Sequence, residues 1–259
     1  MNMVIAELNG NIGIITLNNP KKLNVLSKEL VDDLAAALEQ MKTEQARCII
    51  LRAPAGSKVF SAGHDISELP KGSRDPLSYE DPLRRGIRAV QSCPAPVIAM
   101  VEGSVWGGAF ELVMSCDMIY AADSSTFAMT PVNLGIAYDI VGIHNLIRDC
   151  GLHVIKEMLF TAKPISAERA LQTGIVNAVS TAAELQNTVM QTAELIVVKA
   201  PLSMTLIKEE LRVLNEANPL TPDEFERLQG MRRVVYDSAD AAEGITAFFE
   251  KRKPLFTGK

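Results

Sequence analysis

The segment VEGSVWGGAFELVMSCD, residues 101–117, decides how the rest of the chain is read. A strand runs through Gly103 into the pair Gly107 and Gly108, and AFELVMSC then has helical character. Two glycines at a helix start let backbone N–H groups approach a ligand closely, and the helix dipole adds partial positive charge where they point. The pair is therefore either an anion-stabilising site or a tight packing turn, and the doublet by itself does not choose between them.

A second glycine-bearing segment lies upstream. In VFSAGHDISEL, residues 59–69, a strand ends at Ser61 and Ala62, Gly63 permits a tight turn, and His64 and Asp65 open the next element. Neither segment contains GK[ST], and GSVWGGAF is out of register with GxGxxG, which excludes nucleotide-phosphate sites of those two types. The intervening stretches repeat strand, helix, strand. RCIILRA (47–53), PVIAMVEG (96–103) and DMIYAA (117–122) read as buried strands, separated by helical stretches near 80–92 and 107–115.

Upstream, VIAEL and IGIITLN read as a hairpin, followed by the amphipathic helix SKELVDDLAAALEQM with Ser27 as its N-cap. From about residue 139 the pattern turns helical through HNLIRDCG, HVIKEMLFT and SAERALQTG. One short strand follows at IVNAVS, then long helices near 181–199 and 201–216. GSRDP (72–76) has the composition of a mobile surface loop.

At 259 residues the chain is long enough to bury a sizeable core. It is 47% hydrophobic but has no apolar run of about 20 residues, which argues against a membrane span. MNMVIAELNG lacks the apolar core of a secretory signal, so the expected location is the cytoplasm. Cys48, Cys93, Cys116 and Cys150 have neither CxxC nor ligand spacing and read as small buried residues. His144 and His153 lack a metal triad, and no metal is expected. A net charge of −5 offers no concentrated positive field for nucleic acid.

Together FSAGHDISEL and VEGSVWGGAFELVMSCDMIYAADSSTFAMTPVNLG resemble the crotonase (enoyl-CoA hydratase/isomerase) family. The likeness runs from NNPKKLNVLS to AFFEKRKPLF. It implies an α/β fold, a ClpP/crotonase-like spiral core of repeated β-β-α units over residues 1–195. A C-terminal helical trimerisation region would follow over 196–259, in a homotrimer or a homohexamer built as a dimer of trimers. It also implies that the backbone N–H groups of His64 and Gly108 form an oxyanion hole for the thioester oxygen of an acyl-CoA; loss of one such donor costs about 3–4 kcal/mol of barrier. Ala62, Gly63, Asp65 and Ile66 are implied contacts for the thioester and pantetheine. Lys251 is the implied contact for the CoA phosphates, with Lys21 a weaker candidate.

One departure from the family pattern narrows the reaction. Hydratases of this family carry one glutamate on the helix after the double glycine and a second after the proline of the later loop. Here Glu111 is kept, and Val132 stands in the second place. Hydration needs a pair of positioned acid and base groups. Decarboxylation needs an enolate sink and no base, and a carboxylate at 132 would repel a carboxylated substrate by roughly 4 kcal/mol at about 4 Å and an effective dielectric of about 20. The segments SAGHDISELP, EGSVWGGAFE and TPVNLGIAYDIVGIHNL look most like family members that convert methylmalonyl-CoA to propionyl-CoA, without a cofactor. On that reading Val132 is an apolar wall, Thr130 positions the carboxylate, and Tyr138 assists or supplies a proton through water.

The alternatives are an enoyl-CoA hydratase or isomerase, and a non-catalytic acyl-CoA- or RNA-binding relative; the acidic charge speaks against RNA. Several side chains keep two readings. The imidazole of His64 either takes part or leaves the work to the backbone N–H. Glu111 must be neutralised or turned away, with Arg84 first among Arg84, Arg85 and Arg88 as its partner; otherwise these three form a solvated face. Trp106 reads as packing rather than recognition.

Overall fold

The computed structural model describes residues 2–69, 79–215 and 222–257. In chain order the strands and helices are β1 (Val4–Asn9), β2 (Ile12–Leu17), α1 (Lys28–Thr43), β3 (Cys48–Arg52), β4 (Val59–Ser61), α2 (Pro82–Gln91) and β5 (Val97–Val101). Then come β6 (Ser104–Trp106), α3 (Gly108–Met114), β7 (Met118–Ala122), β8 (Thr126–Ala128), α4 (Ile140–Asp149), α5 (Leu152–Thr161) and β9 (Ile165–Ser166). The last are α6 (Ala167–Gln172), β10 (Ala178–Ser180), α7 (Ala182–Val197), α8 (Pro201–Asn215), α9 (Pro222–Tyr236) and α10 (Ala239–Phe249). The GSRDP stretch lies outside the described residues.

The expected hairpin forms because Gly10, at φ +60°, closes the two-residue turn between Asn9 and Ile12. Ser27 caps α1 as expected, its Oγ accepting from the Leu30 N–H at 3.3 Å. Leu30, Val31, Leu34, Leu38 and Met41 of that helix share one buried face.

Strands pair in the order β1-β2-β3-β5-β7-β10 in one sheet and β4-β6-β8-β9 in another. From β2 to β10 the larger sheet is parallel. It is covered on both faces, which explains why its strands read as unbroken apolar runs. Ile49, Leu51, Val97 and Ala99 join the main core with the buried face of α1. Cys48, Ile50, Ile98 and Met100 join Leu185, Val189 and Ala193 of α7 on the other side. All four cysteines are buried, as the spacing suggested.

Each turn of the spiral supplies one strand to each sheet and then a helix: β3, β4, α2, followed by β5, β6, α3. The continuous strand expected through Gly103 is in fact two strands. Val97–Val101 belongs to the larger sheet and Ser104–Trp106 to the smaller, with the chain bending at Gly103. Gly103 sits at φ +87°, and a Cβ there would lie 2.5 Å from the Ser57 carbonyl oxygen and the Lys58 carbonyl carbon. The strand β8 had no separate sequence signal because only Thr126–Ala128 are extended. The C-terminal helices form as expected, and α7 continues past residue 195 to Val197. No helix among the described residues is long and apolar enough to cross a membrane.

Gly103→Ala is expected to lower unfolding free energy by about 2–3 kcal/mol, through a strained φ and a backbone clash. Urea denaturation measures this; a loss below about 0.5 kcal/mol would contradict the role given to that bend.

Candidate active site

The two glycine segments meet. Gly63 follows β4 at φ +87°, and a Cβ on it would lie 2.4 Å from the Trp106 carbonyl oxygen and 3.1 Å from the Gly108 nitrogen. Gly107, N-cap of α3, adopts φ +53° and ψ −122°, a conformation open in practice to glycine alone. Its N–H donates to the Ala128 carbonyl at 2.8 Å, which ties the turn to β8. This close backbone approach brings the His64 and Gly108 amides side by side. Neither donates a hydrogen bond to another described residue.

The LNVLS segment holds the first of these turns. Leu26 N–H donates to the Gly63 carbonyl at 2.8 Å and Ala62 N–H to the Leu23 carbonyl at 2.9 Å. Buried Asn24 donates from Nδ2 to the Phe60 carbonyl at 2.9 Å and accepts at its own carbonyl from Ser61 Oγ at 2.6 Å. Leu23 and Asn24 both have positive φ, so the segment is a compact brace.

A cavity of about 90 Å³ opens beside the two amides. Ala62, His64, Ile66, Gly108, Thr130 and Tyr138 line it, which brings six of the sequence candidates together. Thr130 Oγ1 has no hydrogen-bond partner among the described residues and lies 3.7 Å from where a Gly107 Cβ would be. Gly63 serves through its backbone, and Asp65 caps a short 3₁₀ turn by accepting from Ser67 N–H at 3.0 Å.

Val132 is not brought to the cavity. It is 41% exposed and lies on an outer concavity with Val234 and Phe256. Residues 131–134 form a 3₁₀ turn, in which positions three apart eclipse. Pro131 and Leu134 therefore share the inward face and form the apolar wall with Ile136, while Val132 turns outward. Lys21 and Lys251 are also absent from the lining. A groove sharing Ile66, Leu69 and Tyr236 with the cavity runs along α10 to Phe249, two positions before Lys251.

Glu111 is 1% exposed. Its Oε2 accepts from Arg84 Nη2 at 2.5 Å and from the Tyr138 hydroxyl. Arg84 is thus the partner expected, and it is buried rather than solvated. Its Nη2 also lies 3.0 Å from Asp139 Oδ2, without hydrogen-bond alignment, while Asp139 Oδ1 caps α4 by accepting from Gly142 N–H. Oε1 of Glu111 has no hydrogen-bond partner among the described residues. Burial raises the Glu111 pKa, opposed by the Arg84 charge. Burial and the neighbouring Glu111 charge hold the Tyr138 hydroxyl well above the ordinary phenol range, so it is a donor at neutral pH. Gly142 is needed here, since a Cβ would lie 2.5 Å from the Tyr138 ring and 2.8 Å from Glu111 Oε2.

Arg85 and Arg88 go elsewhere, Arg85 to Asp32 and Arg88 to the Tyr79 carbonyl and ring. Trp106 contributes its carbonyl to the close approach. His144 and His153 lie on α4 and α5, outside the cavity lining. Among the described residues no three His, Cys, Asp or Glu side chains gather as a metal site.

Sequence reasoning missed Asp81 and Asp139. Asp81 Oδ1 caps α2 by accepting from Leu83 N–H at 2.9 Å, and its Oδ2 lies 3.1 Å from His64 Nε2. The Asp-Pro pair at 81–82 is a helix-start signal that would have flagged the first. Asp139 carried a similar N-cap signature before the apolar run of α4.

The fold, with its two sheets and strand, strand, helix units, is of the crotonase type. The profile described as Enoyl-CoA hydratase/isomerase matches residues 7–259, and the chain belongs to that family. It is 61% identical over 247 residues to a methylmalonyl-CoA decarboxylase of Escherichia coli (strain K12), covering 95% of each chain. It is 32% identical to a short-chain-enoyl-CoA hydratase of Clostridium acetobutylicum, covering 98% of this chain and 97% of that one. A crystal structure of methylmalonyl-CoA decarboxylase complexed with 2S-carboxypropyl-CoA superposes with a TM-score of 0.98 at 58% identity, covering 100% of this chain and 99% of the other.

Replacing Arg84 by Met strands Glu111 and Asp139 as buried carboxylates. A stability loss of about 3–5 kcal/mol is expected by denaturant titration. A loss under about 1 kcal/mol would show that Glu111 does not depend on this partner.

Proposed function

We infer that this chain decarboxylates methylmalonyl-CoA to propionyl-CoA and CO2 through a thioester enolate. The observation that carries the reading is the pairing of two unengaged backbone amides with a cavity whose described lining holds no carboxylate pair. Glu111 is tied to Arg84 and Tyr138, and the later loop presents Pro131 and Leu134 to the cavity. The 61% identity to a methylmalonyl-CoA decarboxylase supports the same assignment.

In the proposed mechanism the His64 and Gly108 N–H groups hold the thioester oxygen. Thr130 donates its hydroxyl to the substrate carboxylate and turns the breaking carbon–carbon bond perpendicular to the thioester plane. The bond's electrons then enter the enolate, CO2 leaves, and water returns one proton to the carbon. Tyr138 borders the reacting group, with its hydroxyl committed to Glu111, and assists through water. The apolar wall of Pro131, Leu134 and Ile136 favours loss of a charged carboxylate as neutral CO2. Val132 turns outward, so the second carboxylate of the hydratase pattern has no counterpart in the cavity lining. A cavity near 90 Å³ suits a short branched acyl group, and the groove along α10 suits pantetheine leading to Lys251.

The reaction requires neither biotin nor a metal. We place the enzyme in the cytoplasm, with residues 1–195 as the acyl-CoA-binding core and 196–259 as an oligomerisation region, in a homotrimer or a dimer of trimers. Apolar side chains such as Leu202, at 85% exposure, and Val234, at 71%, support burial of the C-terminal helices between subunits.

Offered methylmalonyl-CoA and crotonyl-CoA separately, the protein is expected to form propionyl-CoA from the first and not to hydrate the second. Thr130→Val should reduce kcat on methylmalonyl-CoA by about 10- to 100-fold, the loss of a hydrogen bond to a charged group. Hydration without decarboxylation would overturn the assignment, and full turnover by Thr130→Val would remove that residue from the mechanism.

A further inference from the structure

The imidazole of His64 stands in a setting that its role as a backbone donor does not require. Its ring is largely enclosed, with the side chain 14% exposed, and it lines the acyl cavity. Nδ1 lies 3.1 Å from the Asp65 carbonyl oxygen, and Nε2 lies 3.1 Å from Asp81 Oδ2. A carbonyl oxygen and a carboxylate can only accept, whereas a neutral imidazole has one N–H to give. Both contacts are hydrogen bonds only when the ring carries both protons.

Asp81 is built to hold that form. It is 6% exposed, and its other oxygen is fixed by the Leu83 N–H at the start of α2. Removing the imidazolium would leave a buried carboxylate oxygen without its partner. Among the described residues, the other charged groups near the ring are Asp65 and Glu68 of the adjoining 3₁₀ turn, both acidic. On the remaining walls Tyr138 and Tyr236 present phenols, and behind Tyr138 the carboxylate of Glu111 on α3 is taken by Arg84 of α2. Among the described residues the charges that act on the ring are acidic.

We propose that His64 is also a positioning residue through its side chain. As an imidazolium clamped between the Asp65 carbonyl and Asp81, it locks the direction of its own backbone N–H and sets a positive charge beside the enolate oxygen. This rests on the reading of that N–H as an oxyanion donor. The sequence of effects is local: Asp81 fixes the ring, the ring fixes the residue after Gly63, and that residue aims its amide at the thioester. Burial works against the charged ring, but the Asp81 hydrogen bond and charge outweigh it and raise the His64 pKa above the ordinary 6.5. The protonated form therefore persists to higher pH than in an ordinary histidine and is lost as pH rises through the raised value. The activity limb is accordingly an alkaline one.

The chain has three histidines, so the ring is assignable by NMR with a His64→Ala spectrum as reference. In the wild type, both ring nitrogens should be protonated at pH 6.5, with deprotonation above the ordinary histidine range. Asp81→Asn keeps an oxygen to cap α2 but removes the charge, and should lower the His64 midpoint by about one pH unit or more. The alkaline limb of kcat should move down with it, while KM changes less than about threefold. His64→Ala keeps the backbone N–H and should lose the limb and about tenfold or more in kcat, less than the 10²–10³ typical for loss of a direct oxyanion donor. A second readout needs no turnover: the infrared carbonyl stretch of bound propionyl-CoA should shift back toward its solution value as His64 deprotonates. A neutral ring at pH 6.5, a pH profile unmoved by Asp81→Asn, or a carbonyl stretch independent of pH would overturn the proposal. A wild type that polarises the carbonyl in this pH-dependent way but releases no CO2 would overturn the decarboxylase reading and leave the role of His64 standing.

Discussion

Everything at the site depends on one close approach of two backbones. Gly63 and the Trp106–Gly108 turn come together so tightly that a single Cβ on Gly63 would meet the Trp106 carbonyl at 2.4 Å. The paths of the strands before them set the spacing of the His64 and Gly108 amides, and the Asn24 and Ser61 side chains brace the first turn. Those paths exist because β4 and β6 pair in parallel in the smaller sheet, and β6 pairs with β8. The larger sheet and its two apolar layers hold the strand that precedes each of them. Stability and function are joined at the bend of Gly103, where the chain leaves one sheet for the other.

Around that frame the charges are arranged in two buried groups. Arg84, Glu111, Asp139 and Tyr138 form one, and His64 with Asp81 the other. Both are anchored on α2, whose first residues supply Arg84 and whose N-cap is Asp81. A helix of ten residues thus keeps one carboxylate out of the acyl cavity and holds a histidine within it. In the hydratase pattern a glutamate at the place of Glu111 does acid–base work. Here the same residue is occupied by Arg84 and Tyr138, and the proposed mechanism relies instead on polarisation of the thioester.

Much of this was legible in the residues. The alternation of apolar strands and amphipathic helices foretold the layered α/β core, and the SAGHD and WGGAF segments marked the two turns that meet. The pairing of Arg84 with Glu111 was one of two readings, raised by the cost of burying a lone carboxylate, and a solvated arginine face was the other. What escaped depends on geometry that periodicity does not carry. A strand of three residues such as β8 leaves no alternation to detect. A bend at Gly103 looks like strand continuation because its neighbours on both sides are apolar. Val132 was read as a wall because its position in a motif was known and its direction was not; the 3₁₀ geometry of Pro131–Leu134 turns it out and puts its neighbours in its place.

The central claim is that two backbone amides, set by that glycine contact, receive the thioester oxygen. A crystal structure of the protein with bound propionyl-CoA tests it directly. The thioester oxygen should lie about 2.7–3.1 Å from both the His64 and Gly108 nitrogens. An oxygen held by side chains elsewhere in the cavity, with either amide left unengaged, would contradict the account.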